Sequence, residues 1–250
     1  MNKIKLILCV TAFFTSSAAI YAETQEEIDE FIQNHVILCT GPSLNRKEML
    51  KDTTEHDLEL IPFKKIFVVT NDPSNMDLNF DPCPSQFQLI ADRGHQYDCI
   101  NCIILSIKAA LEDPETCDED IIIFKHESVY INDMFLVERA IGKMLRGSNM
   151  VVRLWAPDHF YMTNVFYIRA GAARDVFDSL EFVETFPDDL FCETYFTKYI
   201  VERTPDAYII PYEHLTRKDN ELGFHHYSFT WEDPNRTFWD KSNYFDLYND

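Results

Sequence analysis

At 250 residues, with 46% hydrophobic and 26% charged residues, the chain carries enough apolar side chain for one substantial core, and its 6 glycines exclude collagen-like and Gly-linker architectures. A formal net charge of −20 repels nucleic acid and anionic lipid. Any anionic ligand must therefore be met by a local device: a helix N-terminus, a placed Arg or Lys, or a metal ion.

Residues 1–22, MNKIKLILCVTAFFTSSAAIYA, set Lys3 and Lys5 before an apolar run that closes on small residues, the layout of a secretory signal peptide ending at Ala22. Ile4 to Ala22 approaches the ~20 residues that span a bilayer, so an uncleaved anchor is the alternative, weakened by Thr15, Ser16 and Ser17. Cleavage removes two lysines and no acid, which takes the charge from −20 to −22. It predicts a secreted, periplasmic or secretory-lumen protein with no stable membrane span, whose residues 23–250 form a single domain.

After an acidic segment at 23–34, HVILCT and KKIFVVTND read as short buried strands that stop on polar groups. A polar, Pro-containing stretch leads to the weaker strand QFQLI. In DCINCIILSIKAALED the residues Ile100, Ile103, Ile104, Ile107 and Leu111 fall on one helical stripe. Cys99 and Cys102, spaced i, i+3 on that helix, suit either a zinc or redox pair or two buried thiols.

The next stretch, DEDIIIFKHESVYIND, joins a buried strand, Ile121 to Phe124, to a run of ionisable groups from Lys125 to Ser128. Asn132 and Asp133 offer an N-cap to a helix that buries Met134, Val137, Ile141 and Met144 or Leu145 and stops at Gly147. MVVRLW and TNVFYIRA read as strands joined by a short connection, which suggests an antiparallel or mixed addition. GAARDVFDSL and PDDLFCETYFTKYIVE read as helices, and DAYIIPY as a late strand. The alternation predicts an α/β fold, with a largely parallel first half and a mixed addition. In such sheets the ligand crevice lies outside the carboxyl ends of the strands, which gathers Thr40, Thr70 to Asp72, and His126 to Ser128.

A carboxylate and an imidazole at a strand end suit a divalent cation, Glu127 supplying a hard oxygen and His126 favouring a transition metal. The bland alternative is a strand that ends, solvated, at the surface.

The order of these features, IIIFKHESVYINDMFLVERAIGKML following CINCIILSIKAALED, resembles the nucleotide-sugar glycosyltransferases of GT-A fold over roughly residues 35–230. The resemblance implies one mixed, largely parallel sheet with helices on both faces, related to the Rossmann fold. It implies an enzyme that moves a sugar from a nucleoside diphosphate donor to a glycan or other hydroxyl acceptor, assisted by a manganese or magnesium ion. His126-Glu127-Ser128 stands where that family carries its acidic motif, with one carboxylate in place of the usual two. Carried over singly, Thr40 and Asp72 become nucleotide-binding, Glu127 and His126 metal-holding, and His225 or His226 of GFHHYSFTW a late histidine returning to the metal. Glu193 and Asp189, in PDDLFCETYF, become the acidic acceptor-side residues that would act as general base. Acids such as Asp188 and Asp189 are also favoured in a first helical turn by the helix dipole alone. The alternative function is a non-catalytic exported binding or interaction protein on the same fold.

Overall fold

A computed structural model describes residues 25–41, 46–92, 95–156, 160–161, 164–178, 192–210 and 224–226, with the backbone alone at 25, 95–97, 153–156, 160–161, 192–197 and 224–226. The chain alternates helix and strand through its first half. Helix α1 (Gln25–His35) leads into β1 (Val36–Gly41), α2 (Lys47–Leu60) into β2 (Lys65–Thr70), and a 3-10 turn (Pro73–Asp77) into β3 (Ser85–Leu89). Helix α3 (His95–Glu112) then precedes β4 (Ile121–His126) and its short companion β5 (Val129–Ile131). The second half comprises α4 (Met134–Leu145), β6 (Met150–Ala156), β7 (Phe160–Tyr161), β8 (Val165–Arg169), α5 (Ala170–Phe177), α6 (Cys192–Arg203), β9 (Ala207–Ile210) and β10 (Phe224–His226).

The fold is α/β with one mixed, largely parallel sheet in the order β3-β2-β1-β4-β8-β6-β7, β9 adding to β6. Strands β1 to β4 are mutually parallel, β8 runs antiparallel between β4 and β6, and β9 is parallel to β6. A second ribbon pairs β10 antiparallel with β5. The central parallel strands β1, β2 and β4 are buried on both faces, as crossover helices on each side require, while the edge strand β3 is largely exposed. Ile37, Cys39, Ile122 and Phe124 pack with α3, α5 and α6 on one face. Val36, Leu38, Ile121 and Ile123 pack with α1, α2 and α4 on the other.

Local signals behave as their chemistry dictates. The α3 stripe Ile100, Ile103, Ile104, Ile107 and Leu111 is buried throughout. Asp133 caps α4, accepting the Leu136 N–H at 3.3 Å, and Gly147 ends that helix's connection at φ 107°, where a side chain would be strained. Among the described residues no helix is long and apolar enough to cross a membrane. Residues 1–22 lie outside the described residues.

Candidate functional site

Strand β1 leads by α2 to its neighbour β2, whereas β4, on the other side of β1, is reached by the crossover helix α3. The sheet therefore changes winding direction between β1 and β4, and the carboxyl ends of these two strands frame the crevice where open α/β sheets bind ligands. Gly41 stands opposite His126 in that register. Helix α3 presses on this point: a Cβ on Gly41 would lie 2.2 Å from Cys102 Cβ, 2.7 Å from its Sγ and 3.0 Å from Val69 O. The glycine is required by close approach. Cys102 Sγ in turn donates to Val69 O at 3.2 Å, so this half of the Cys-x-x-Cys pair is a buried thiol that ties α3 to β2.

Around this contact several buried polar atoms have no hydrogen-bond partner among the described residues. Asn71 Nδ2 donates to Asp98 Oδ2 at 2.7 Å, which leaves Asn71 Oδ1 unpaired. Asn101 Oδ1, His126 Nε2 and Glu127 Oε2 are likewise buried without a hydrogen-bond partner. Buried polar atoms are nearly always satisfied, so such a group of atoms at the strand ends makes this crevice the candidate ligand site.

Glu127 is fully buried. Its Oε1 takes a guanidinium N–H from Arg46, and its Oε2 lies 3.7 Å from His126 Nδ1, an ion-pair distance beyond hydrogen bonding. Burial alone would raise its carboxyl, but His126 and Arg46 beside it outweigh burial and hold it at about 2. The Lys125-to-Ser128 run is thus not a solvated strand end: all four residues are buried.

Lys125 belongs to the opposite face from His126, because side chains alternate along a strand. Its Nζ meets Asp57 Oδ2 of α2 at 2.5 Å and donates to Val129 O at 3.0 Å, with neither side chain of the ion pair exposed. Burial pushes Asp57 up and Lys125 down, each opposed by its partner. The same helix grips the β4–β5 turn elsewhere. Thr53 Oγ1 donates to Glu127 O at 2.9 Å, His56 Nε2 to Ile131 O at 2.8 Å, and Asp57 Oδ1 accepts the Ile131 N–H at 2.7 Å. Helix α2 therefore positions Glu127 by holding its carbonyl and the Ile131 backbone after it and the Lys125 side chain before it. Lys125 is part of that scaffold rather than of the crevice.

The remaining candidates are distributed as follows. Thr40 is fully buried, paired in register with Lys125 on the α2 face, and its hydroxyl has no partner among the described residues. Asp72 caps the 3-10 turn, its Oδ1 accepting the Ser74 N–H at 2.9 Å, and stands near the end of β2. The β10 backbone sets His225 opposite Tyr130 and His226 opposite Val129, which brings this strand beside the turn that carries His126 and Glu127. Glu193 belongs to the first turn of α6, a helix that packs on α3. Asp188 and Asp189 lie outside the described residues. The sequence reading placed Asn71 at the crevice by its strand-end position but missed Arg46, Asp98 and Asn101, none of which stands in a motif.

No model of a known protein family matches the chain, and no curated protein is similar to it.

A second group of ligating side chains lies at the other end of the sheet. His35, Cys117 and Asp120 offer ligand atoms that all lie within 4.8 Å of one another, an arrangement compatible with a metal ion.

Proposed function

We propose that the chain is a glycosyltransferase-like protein that takes a nucleoside diphosphate sugar into the crevice at the carboxyl ends of β1, β2 and β4. The observation that carries this reading is the set of buried polar atoms without a partner among the described residues around the switch point: Asn71 Oδ1, Asn101 Oδ1, His126 Nε2 and Glu127 Oε2. Carbonyl acceptors suit the N–H groups of a base and the hydroxyls of a ribose, with Asp72 beside them. Glu127 and His126 would hold a divalent cation of the manganese or magnesium class, and His225 or His226, on the strand paired with β5, is proposed to complete its ligands. Such an ion would neutralise the diphosphate and stabilise it as a leaving group. Arg46, partly exposed and seated on Glu127, supplies a second positive group for the same charge. Glu193, or Asp189, is proposed to take the proton of the acceptor hydroxyl. The donor, the glycan or other hydroxyl acceptor and an exported location belong to this same proposal.

Calorimetric titration with uridine and guanosine diphosphates, with and without manganese, tests it. Saturable binding that needs manganese and disappears in Glu127→Gln is expected; no binding of either nucleotide in any condition would sink it. The Arg46–Glu127 pair favours a second reading, a non-catalytic exported binding protein, because the carboxylate already has a cationic partner. Product formation from a panel of labelled sugar donors separates the two.

A further inference from the structure

We propose that His35, Cys117 and Asp120 form a binding site for a zinc-class transition cation at the amino ends of β1 and β4, the opposite edge of the sheet from the crevice. His35 ends α1, directly before β1, and Asp120 directly precedes β4, so the pairing of the two strands brings both residues together. Asp120 Oδ1 accepts from His35 Nδ1 at 2.8 Å and from Cys117 Sγ at 3.1 Å, and the sulfur lies 4.0 Å from the same ring nitrogen. Tetrahedral zinc with ordinary bond lengths separates an S, N and O donor set by about 3.3–3.6 Å. Each observed separation is within about half an ångström of that range, the adjustment of a few side-chain torsions.

The carboxylate is already aimed for the task. Its other oxygen, Oδ2, is occupied by Lys64 Nζ at 2.8 Å and the Cys117 N–H at 3.0 Å, which turns Oδ1 towards the imidazole and the thiol. Outer groups that fix a ligand in this way are a regular part of metal centres. The loop carrying Cys117 is fixed as well. Arg174 Nη2 donates to Thr116 O, the Gly171 N–H to Asp118 O and the Ala170 N–H to Asp120 O, at 3.0, 3.0 and 2.8 Å.

Entry of the ion exchanges protons for metal bonds. The thiol proton leaves to solvent as the metal–sulfur bond forms. The ring proton of a neutral His35 moves from Nδ1 to Nε2, freeing Nδ1 as a ligand. Thiolate and carboxylate then balance the divalent charge. The thiolate selects zinc or cobalt over the hard magnesium and manganese ions suited to Glu127. His35 is partly exposed, which leaves a fourth position open to water.

Titration of the full chain with cobalt(II) and zinc under thiol-reducing, chelator-free conditions tests the site. One equivalent of cobalt is expected to give the near-ultraviolet thiolate charge-transfer band, bleached by zinc. Cys117→Ser should lose the band, and His35→Gln should weaken cobalt binding on the order of tenfold or more. Circular dichroism of both variants confirms that each is folded, and the part-exposed His35 gives a reading should the cysteine variant fail. Absence of the band in the wild-type chain, or an undiminished band in Cys117→Ser, overturns the proposal. Cobalt held by Glu127 and His126 alone gives no thiolate band, so this outcome is independent of the nucleotide titration.

Discussion

The buried ion pair between Lys125 and Asp57 offers the sharpest test of how α2 supports the β4–β5 turn. Asp57→Ala leaves a lysine with no exposed surface and no directly paired carboxylate, and it removes the acceptor of the Ile131 N–H. Breaking a buried pair from one side costs about 3–5 kcal/mol, and an orphaned buried N–H adds to that. At about 2–4 °C per kcal/mol for a chain of this size, a loss near 4 kcal/mol lowers Tm by about 8–16 °C. Lys125→Met should cost a similar amount by stranding the carboxylate. The double variant Asp57→Asn with Lys125→Met removes both charges and keeps a carbonyl oxygen for Ile131. It should therefore be far less damaged than the sum of the Asp57→Asn and Lys125→Met single losses, with a coupling of at least about 2 kcal/mol. Urea unfolding followed by fluorescence and circular dichroism measures the wild type and the four variants. An Asp57→Ala variant within about 1 kcal/mol of wild type, or additive single losses, would refute the scaffold role.

Two further outcomes follow from the crevice. Gly41→Ala drives a Cβ to 2.2 Å from Cys102 Cβ, so helix or strand must move; a loss of about 1–3 kcal/mol or more in urea unfolding is expected, and a neutral result would mean the contact is looser than drawn. Glu127 is held at about 2, below its ordinary 4.5, so its folded-state ion pairs add stability that is present in full above pH ~4.5 and is lost as pH falls towards 2. That contribution is about 3 kcal/mol. The stability gap between wild type and Glu127→Gln should narrow between pH 5 and pH 2.5, and a gap that is constant with pH would contradict the ion-pair assignment.

Most of the central sheet is legible in sequence because its strands carry unbroken β-branched runs, and α3 and α4 are legible because their apolar residues keep helical spacing. Helix α2 is not. Its buried residues are Leu50, Thr53, Thr54 and Asp57, a polar stripe with a single apolar member. Such a face reads as solvent-exposed until Lys125 and the β4–β5 backbone are known to sit against it. Lys125 misleads for the reciprocal reason, since a lysine after four apolar residues normally marks a strand reaching water. The strand-end position of His126 and Glu127 was readable. Their partner Arg46 was not, being 81 residues away in sequence and outside any pattern. The three-residue strands β5 and β10 are too short for alternation to announce them.

The pairing of β1 with β4 joins residues 85 positions apart, as the His35–Asp120 contact at its amino end records. Closing so long a loop is entropically late and kinetically slow compared with forming the helices between. Both chemical ends of the sheet depend on that one closure: the crevice at its carboxyl edge and the His–Cys–Asp group at its amino edge come into being together. A ligand at either edge binds only chains in which the centre has closed, so each would stabilise the same event and slow its reversal. Occupancy at one edge is thereby a reporter on the integrity of the other.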